Sequence, residues 1–306
     1  MSDHLETITT RPSIRHLGGQ IGVATLCRFF LNTARRFPYP FAPALSRGLD
    51  VPLTAITSLI AINLATGILS PLFGPLSDRW GYRTMMLASL GIVAVGMLAG
   101  GLLPFYGVIM LALFLAGLGK SIFDPALQAY LGKIVPYHRR GLVIGLVELG
   151  WSGSSLVGVP LIGLLIARVG WQSPFIILGL LSILSTIALG KLIPAEGPQP
   201  AQMTSISFRQ VWPELRRERA ALGLLAFSLL IGLGNDNFFI IYGAWLEQAF
   251  ALSIVALGLA SSVIGAAELV GEGLTASIAD RFGLKRSIIS GFVLSILSYL
   301  LLPFLG

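Results

Sequence analysis

Apolar residues run along this chain in nine long stretches, at positions 20–45, 52–73, 84–103, 106–131, 141–166, 174–193, 220–246, 252–276 and 286–305. Each is apolar on every side rather than along one stripe. A hydrocarbon core of roughly 30 Å is crossed by about 20 helical residues, so each stretch predicts a transmembrane helix. A barrel would need strands of about 10 residues with strict alternation, and no such alternation occurs. A helix satisfies its own backbone in lipid, which a single open strand cannot do. The expectation is an all-α integral membrane protein with about nine spans.

Composition sharpens this picture. The chain is 55% hydrophobic and 11% charged over 306 residues, where soluble domains carry about 25% charged residues. So little polar surface cannot cover a globule in water. The first residues, MSDHLETITTRPSIRHLGGQ, are polar and of mixed charge, unlike a cleavable signal with its short apolar region. Cys27 is the only cysteine, which excludes an internal disulfide and a cysteine-based metal cluster. His4, His16 and His138 all fall outside the spans, so no metal site and no cofactor is expected.

The net charge of +7 reads as orientation. With the N-terminus in the cytoplasm, fifteen of the 21 Lys and Arg residues fall in inner segments and two, Arg47 and Arg168, in outer ones. That is the bias that sets membrane topology, and it argues against a nucleic-acid surface. The expected location is the plasma (inner) membrane. The longest polar segment, after span six, holds Pro194, Pro198 and Pro200 and then SFRQVWPELRRERA. It divides the chain into a tail (1–19), a six-helix unit (20–193), a central cytoplasmic segment (194–219) and a second helical unit (220–306).

The chain repeats itself. GPLSDRWGYRT at 74–84 and ASIADRFGLKR at 276–286 align at a shift of 202 positions. Asp78 falls on Asp280, Arg79 on Arg281, Gly81 on Gly283 and Arg83 on Lys285. A hairpin turning at the membrane face needs a glycine to reverse tightly. The shift spans six helices, so the chain reads as a six-helix unit followed by the start of a second, an arrangement of parallel repeats found in transporters.

These residues resemble the signature loop of the major facilitator superfamily between helices two and three, G-x-L-x-D-R-x-G-R-[KR]. Gly74, Asp78, Arg79, Gly81 and Arg83 match it, and Tyr82 stands where the family often has arginine. The second copy, Asp280, Arg281, Gly283 and Lys285, is degenerate, with Ala276 in the first glycine position. In span five, Gly150, Gly158, Pro160 and Gly163 partly match a glycine-proline pattern of the family's exporters; Val159 and Leu164 depart from it. Span four resembles the glycine-rich fourth helix, with Leu113 where an arginine is often found. The resemblance implies two bundles of six helices, of which nine helices are written here. It also implies a conformational switch at the paired hairpins, no enzymatic activity, and a chain that is either a truncated member or a fragment.

Charges inside the spans remain. Ionisable groups in a bilayer are costly, on the order of 2.5–3.5 kcal/mol on insertion scales, and are functional candidates. The basic ones are Arg28, Arg35, Arg36 and Lys120; the acidic ones are Asp124, Glu148, Asp236, Glu268 and Glu272. Arg28 and Arg35 lie seven apart on one helical face. They suit an anionic or zwitterionic solute, or else pair with Asp236. Pro38, Pro40 and Pro43 should bend or interrupt span one near its outer half. Lys120 and Asp124, four apart, can pair with each other, or Asp124 can latch onto Arg79 or Arg83. Asp236, flanked by Asn235 and Asn237, is the leading proton or substrate candidate, with a structural hydrogen-bonded cluster as the alternative. Glu268 and Glu148 are further proton candidates. The expected function is secondary active transport of a small solute by alternating access, coupled to protons, with export favoured. The expected partners are the solute, protons and the bilayer, and the expected state is a monomer. The competing expectation is a truncated relative without transport of its own.

Overall fold

The computed structural model describes residues 14–195, 213, 216–301 and 304. Most of the central segment, and with it the proposed surface helix, lies outside the described residues, as does the polar tail before residue 14.

Nine helical passes occur among the described residues. Pass one is α1 (Ile14–Arg36) followed at once by α2 (Pro38–Leu49). The prolines do interrupt it, at Phe37: a proline has no N–H to donate and its ring crowds the preceding turn. Pass two is α3 (Leu53–Ala65), a tight turn at Thr66–Leu69, and α4 (Ser70–Trp80). Passes three and four are α5 (Tyr82–Leu102) and α6 (Tyr106–Ile134). Pass five is α7 (Arg140–Gly153), a wide π turn at Ser154–Gly158, and α8 (Val159–Val169). The later passes are α9 (Ser173–Leu192), α10 (Arg219–Phe250), α11 (Ile254–Phe282) and α12 (Leu284–Leu301). Seven passes are long and apolar enough to cross a membrane. The other two are pass one, which carries five arginines, and α12, which has Lys285 and Arg286 in its first turn.

The motif hairpins are tighter than the sequence implies. Asp78 and Arg79 belong to the last turn of α4 rather than to a loop, and the reversal rests on Gly81 alone, at φ 86°. The second copy is built alike: Asp280 and Arg281 are helical positions of α11, and Gly283 turns at φ 93°. Such backbone conformations are open to glycine at little steric cost. The repeat therefore marks the same helix–glycine–helix corner twice.

The first six passes form one packed bundle with Phe37, Phe41, Phe123 and Phe175 fully buried. In lipid, apolar surface gives no hydrophobic drive between helices, so close packing and interhelical hydrogen bonds must hold them. Asn63 on α3 donates to the Leu113 carbonyl of α6 at 2.6 Å, and Ser121 on α6 donates back to the Thr66 carbonyl at 3.0 Å. α10 and α11 lean on this bundle through α2 and pass five, α12 packs against α11 and α10, and all three leave most of their apolar side chains exposed.

Candidate functional site

Helical spacing places the embedded charges. Arg28, Asn32 and Arg36 repeat every four residues along α1. Lys120 and Asp124 do so on α6, and Glu148 and Trp151 are three apart on α7. These three faces meet in the middle of the first bundle. Arg28 sits between two carboxylates, with Nε 3.3 Å from Asp124 Oδ1 and Nη1 2.8 Å from Glu148 Oε1. Lys120 Nζ lies 2.6 Å from Asp124 Oδ2 and donates to Asn32 Oδ1 at 2.9 Å. Asn32 in turn donates to the Gly150 carbonyl at 3.1 Å. The expected Lys120–Asp124 pair is present. The expected latch to Arg79 or Arg83 is not: Asp124 is taken by Arg28, and Arg83 donates to the Gly190 carbonyl of α9.

A second centre joins the first bundle to α11. Arg36 grips Glu268 with both terminal nitrogens, at 2.7 and 3.2 Å. The Trp151 indole donates to the same carboxylate at 3.1 Å. The Trp151 ring also carries the Arg36 guanidinium 4.2 Å from its centroid and the Lys120 ammonium at 4.7 Å. A desolvated cation over an indole gains about 2 kcal/mol, so the ring shares the load of two buried cations. Trp151, Asn32 and Tyr39 escaped the sequence reading because none is ionisable at ordinary pH. The signal for Trp151 was its place beside Gly150, three residues from Glu148. Glu272, one turn beyond Glu268, accepts from Ser152 at 3.3 Å.

Arg35 and Asp236 are different. The Arg35 Nε is buried without a hydrogen-bond partner. Asp236 is half-buried and belongs to none of the ion pairs among the described residues. The expected polar cluster around Asp236 does not form. Asn237 bonds back to the Leu233 carbonyl of its own helix at 2.7 Å, and Asn235 faces the groove between α10 and α12. The expected pairing of the span-one arginines with Asp236 is replaced by Arg28 with Asp124 and Glu148, and Arg36 with Glu268.

At the end away from the motif corners, α10 comes into close contact with α2. A side chain at Gly243 of α10 would run into the Tyr39 and Pro40 carbonyl oxygens of α2, with Pro40 Cα 2.7 Å away. Arg47 and Glu247 bridge the same two helices at 2.5 Å. The glycines of pass five work likewise. A Cβ at Gly150 would stand 2.8 Å from the Thr25 carbonyl oxygen, and one at Gly163 would meet Phe41 at 3.0 Å and the Ile254 carbonyl at 3.2 Å. Gly158 abuts the Thr33 side chain, and Pro160 Cα would lie 3.2 Å from a Cβ at Gly258. The glycine-proline pattern thus lets pass five press against α1 on one side and α11 on the other. At the hairpin corner, Asp78 accepts from the Tyr82 hydroxyl at 2.9 Å, Arg79 is exposed, and Gly74 has open space beside it. The side chains of Asp280 and Arg281 lie outside the described residues; Lys285 is exposed.

Comparison with known proteins decides the family. The pattern of the Major Facilitator Superfamily matches residues 24–306. The chain belongs to the major facilitator superfamily. It is a multi-pass membrane protein of a transporter family and not an enzyme. It is similar to YceJ, an uncharacterized MFS-type transporter of Bacillus subtilis (strain 168), at 27% identity over 80% of this chain and 62% of YceJ. It is also similar to the multidrug resistance protein MdtG of Escherichia coli O17:K52:H18, at 27% identity over 92% of this chain and 70% of MdtG. The chain thus spans less than two thirds of YceJ's length. Among solved structures, a bacterial homolog of the human lysosomal transporter Spinster, inward-facing and unoccupied, superposes with a TM-score of 0.69. That match has 13% identity and covers 89% of this chain and 64% of the homolog. A D-xylose-proton symporter superposes at 0.64 with 16% identity over 88% of this chain and 70% of the symporter. At these identities the likeness speaks to the superfamily fold alone.

Proposed function

We propose that this superfamily member moves a small solute across the inner membrane by alternating access, as a monomer, with proton coupling and with export as its direction. The observation that carries the reading is the Arg36–Glu268 pair, which ties α1 to α11, with α10 in close contact with α2 at Gly243. A buried bidentate pair between two packed units is a bistable contact: proton or solute can replace one partner, and the units are then free to rock. Protonation of Glu268 removes its charge and releases Arg36, which keeps a partner in the Trp151 ring of its own bundle. Arg28, Asp124, Lys120 and Glu148 hold the first bundle rigid while this happens. Arg35 and Asp236 face the solute path. The paired hairpins at Gly81 and Gly283 act as the corners about which the cytoplasmic ends move. Export draws support from MdtG and from the Lactococcus lactis protein named as a multi-drug resistance efflux pump PmrA homolog, 23% identical over 90% of this chain. Proton coupling draws support from the D-xylose-proton symporter.

The test is reconstitution of the chain into proteoliposomes under an imposed pH gradient, with internal pH followed during addition of a solute panel. Solute-dependent proton movement that Glu268→Gln and Asp236→Asn abolish, with insertion intact, is the expected result. No proton movement with any solute would instead favour a relative that does not transport by itself.

A further inference from the structure

The contact between α2 and α10 leaves a cavity beside it. Pro43 and Arg47 lie four apart on α2, and Ala244 and Glu247 lie three apart on α10, so each pair shares one helical face. Between the backbones the fit is close at Gly243, whose Cβ would strike the Tyr39 and Pro40 carbonyl oxygens. Next to that contact the two faces and the start of α3 at Leu53 enclose about 280 Å³. The turn from α2 into α3 that closes this space is fixed locally: the Ser46 hydroxyl donates to the Val51 carbonyl at 2.6 Å, and Asp50 reverses the chain at φ 53°.

One carboxylate in the wall is half used. Arg47 Nη1 reaches Glu247 Oε1 at 2.5 Å. Glu247 Oε2 is buried and accepts from no donor among the described residues. A charged acceptor shielded from water without a donor is costly, and such groups call for a partner. Arg47 does not supply it, although a guanidinium can grip both oxygens of a carboxylate. Its side chain is 59% exposed, so most of its charge stands in solvent. The rest of the wall named here, Pro43, Leu53 and Ala244, is apolar.

We infer that this cavity is a binding site for a small primary amine in its ammonium form, which donates to Glu247 Oε2 and lays its apolar body on Pro43, Leu53 and Ala244. An ammonium brings three donors on a compact head, and a charged donor on a carboxylate makes the stronger class of hydrogen bond. An alcohol of the same shape brings a donor without charge. A quaternary ammonium brings charge without a donor. Pockets of this kind, mostly apolar with one or two fixed polar groups, bind small molecules by shape and are made selective by the polar group. Because its walls come from α2, α3 and α10, a bound amine also holds α10 to the first bundle. The site is separate from the Arg36–Glu268 pair and rests on no reading of transport.

The experiment is calorimetry on the purified full chain in lipid nanodiscs at neutral pH, with empty nanodiscs subtracted. The probes are benzylamine, phenethylamine and hexylamine, each beside its alcohol and its trimethylammonium counterpart. At least one amine is expected to bind, with both counterparts weaker by about tenfold or more, the worth of one charged hydrogen bond. Glu247→Gln should weaken the amine by a similar factor, and Leu53→Trp, which fills the cavity, should abolish binding. Arg47→Gln breaks the same bridge but keeps the carboxylate, so it should bind the amine at least as well as the unaltered chain. Binding of no amine overturns the inference, as does a counterpart that binds as well as its amine. A tenfold loss in Arg47→Gln as well would show that Glu247 acts through the bridge and not on the ligand, and would overturn it too. Should Glu247→Gln fail to fold, the three probe forms on the unaltered chain still decide.

Discussion

α6 and α10 are almost equally apolar, with mean hydropathies of 1.8 and 1.7 in their most apolar stretches. Of those stretches, 56% of the residues in α6 are buried and none in α10. One helix is the centre of a packed bundle; the most apolar stretch of the other has no buried residue among the described ones. The difference is in what each residue type meets. Along α6, Gly117 and Gly119 let α3 and α5 approach, and Lys120, Ser121 and Asp124 bond to neighbours. Along α10, Gly232 and Gly234 have open space beside them, and close contact is made only near Gly243. In a membrane, hydropathy sets where a helix lies, and small and polar residues set which helix it touches.

The largest expected effect separates the two regions directly. Phe123→Ala empties a fully buried site on α6 and should cost about 3–5 kcal/mol. Phe292→Ala on α12, 40% exposed, should cost well under half of that. Unfolding of the purified protein in mixed micelles measures both, and equal losses would break the comparison.

The Arg36–Glu268 pair crosses from one region to the other. Glu268→Leu strands a guanidinium whose side chain is 4% exposed, and breaking a buried pair costs about 3 kcal/mol or more. The double change Arg36→Met with Glu268→Leu should recover much of that loss, read in the same unfolding assay. A double variant as unstable as the single one would show that the pair's charges are not what destabilises the single variant.

Within α10 the comparison narrows to two glycines. Gly243→Ala pushes against α2, and forced overpacking costs about 1–3 kcal/mol. Gly232→Ala meets open space and should be neutral or slightly stabilising, since alanine is the better helix former by about 1 kcal/mol. A cysteine placed at Ser46, in a chain with Cys27→Ala, should react faster with an impermeant maleimide in the Gly243→Ala background only.

The smallest effect is expected at the rim. Arg47 is 59% exposed in its pair with Glu247. Such pairs contribute about 0–1 kcal/mol and weaken with salt. Arg47→Gln should change stability by less than 1 kcal/mol, and a larger loss would make this bridge a true part of the α2–α10 contact.

Much of this was legible beforehand. The nine passes, the break after Arg36, the repeated corner at Gly81 and Gly283 and the Lys120–Asp124 pair all follow from local spacing. Gly150, Gly158 and Gly163 stood out only as part of a family pattern, and the close approach of pass five that they permit came from the structure. What was not legible was partnership across distance. Asp124 could be assigned to Arg79 or Arg83 because all lie on early passes, but Arg28, on another helix, reaches it first. Asp78 and Arg79 were read as loop because charge usually marks a loop, whereas they close a helix. Trp151 was overlooked because an aromatic in an apolar run looks like any other apolar residue until two cations are found over its ring.

The sequence by itself determined that the chain is a bundle of transmembrane helices, the order and approximate place of each, and that it is built as a repeat. Those properties follow from backbone satisfaction in lipid and from glycine's access to positive φ, and both act within a few residues. Only the tertiary structure decided which embedded charges cancel one another. Charge pairing depends on distances between helices far apart in the chain, and helical periodicity fixes only the face on which a residue stands, not what stands opposite.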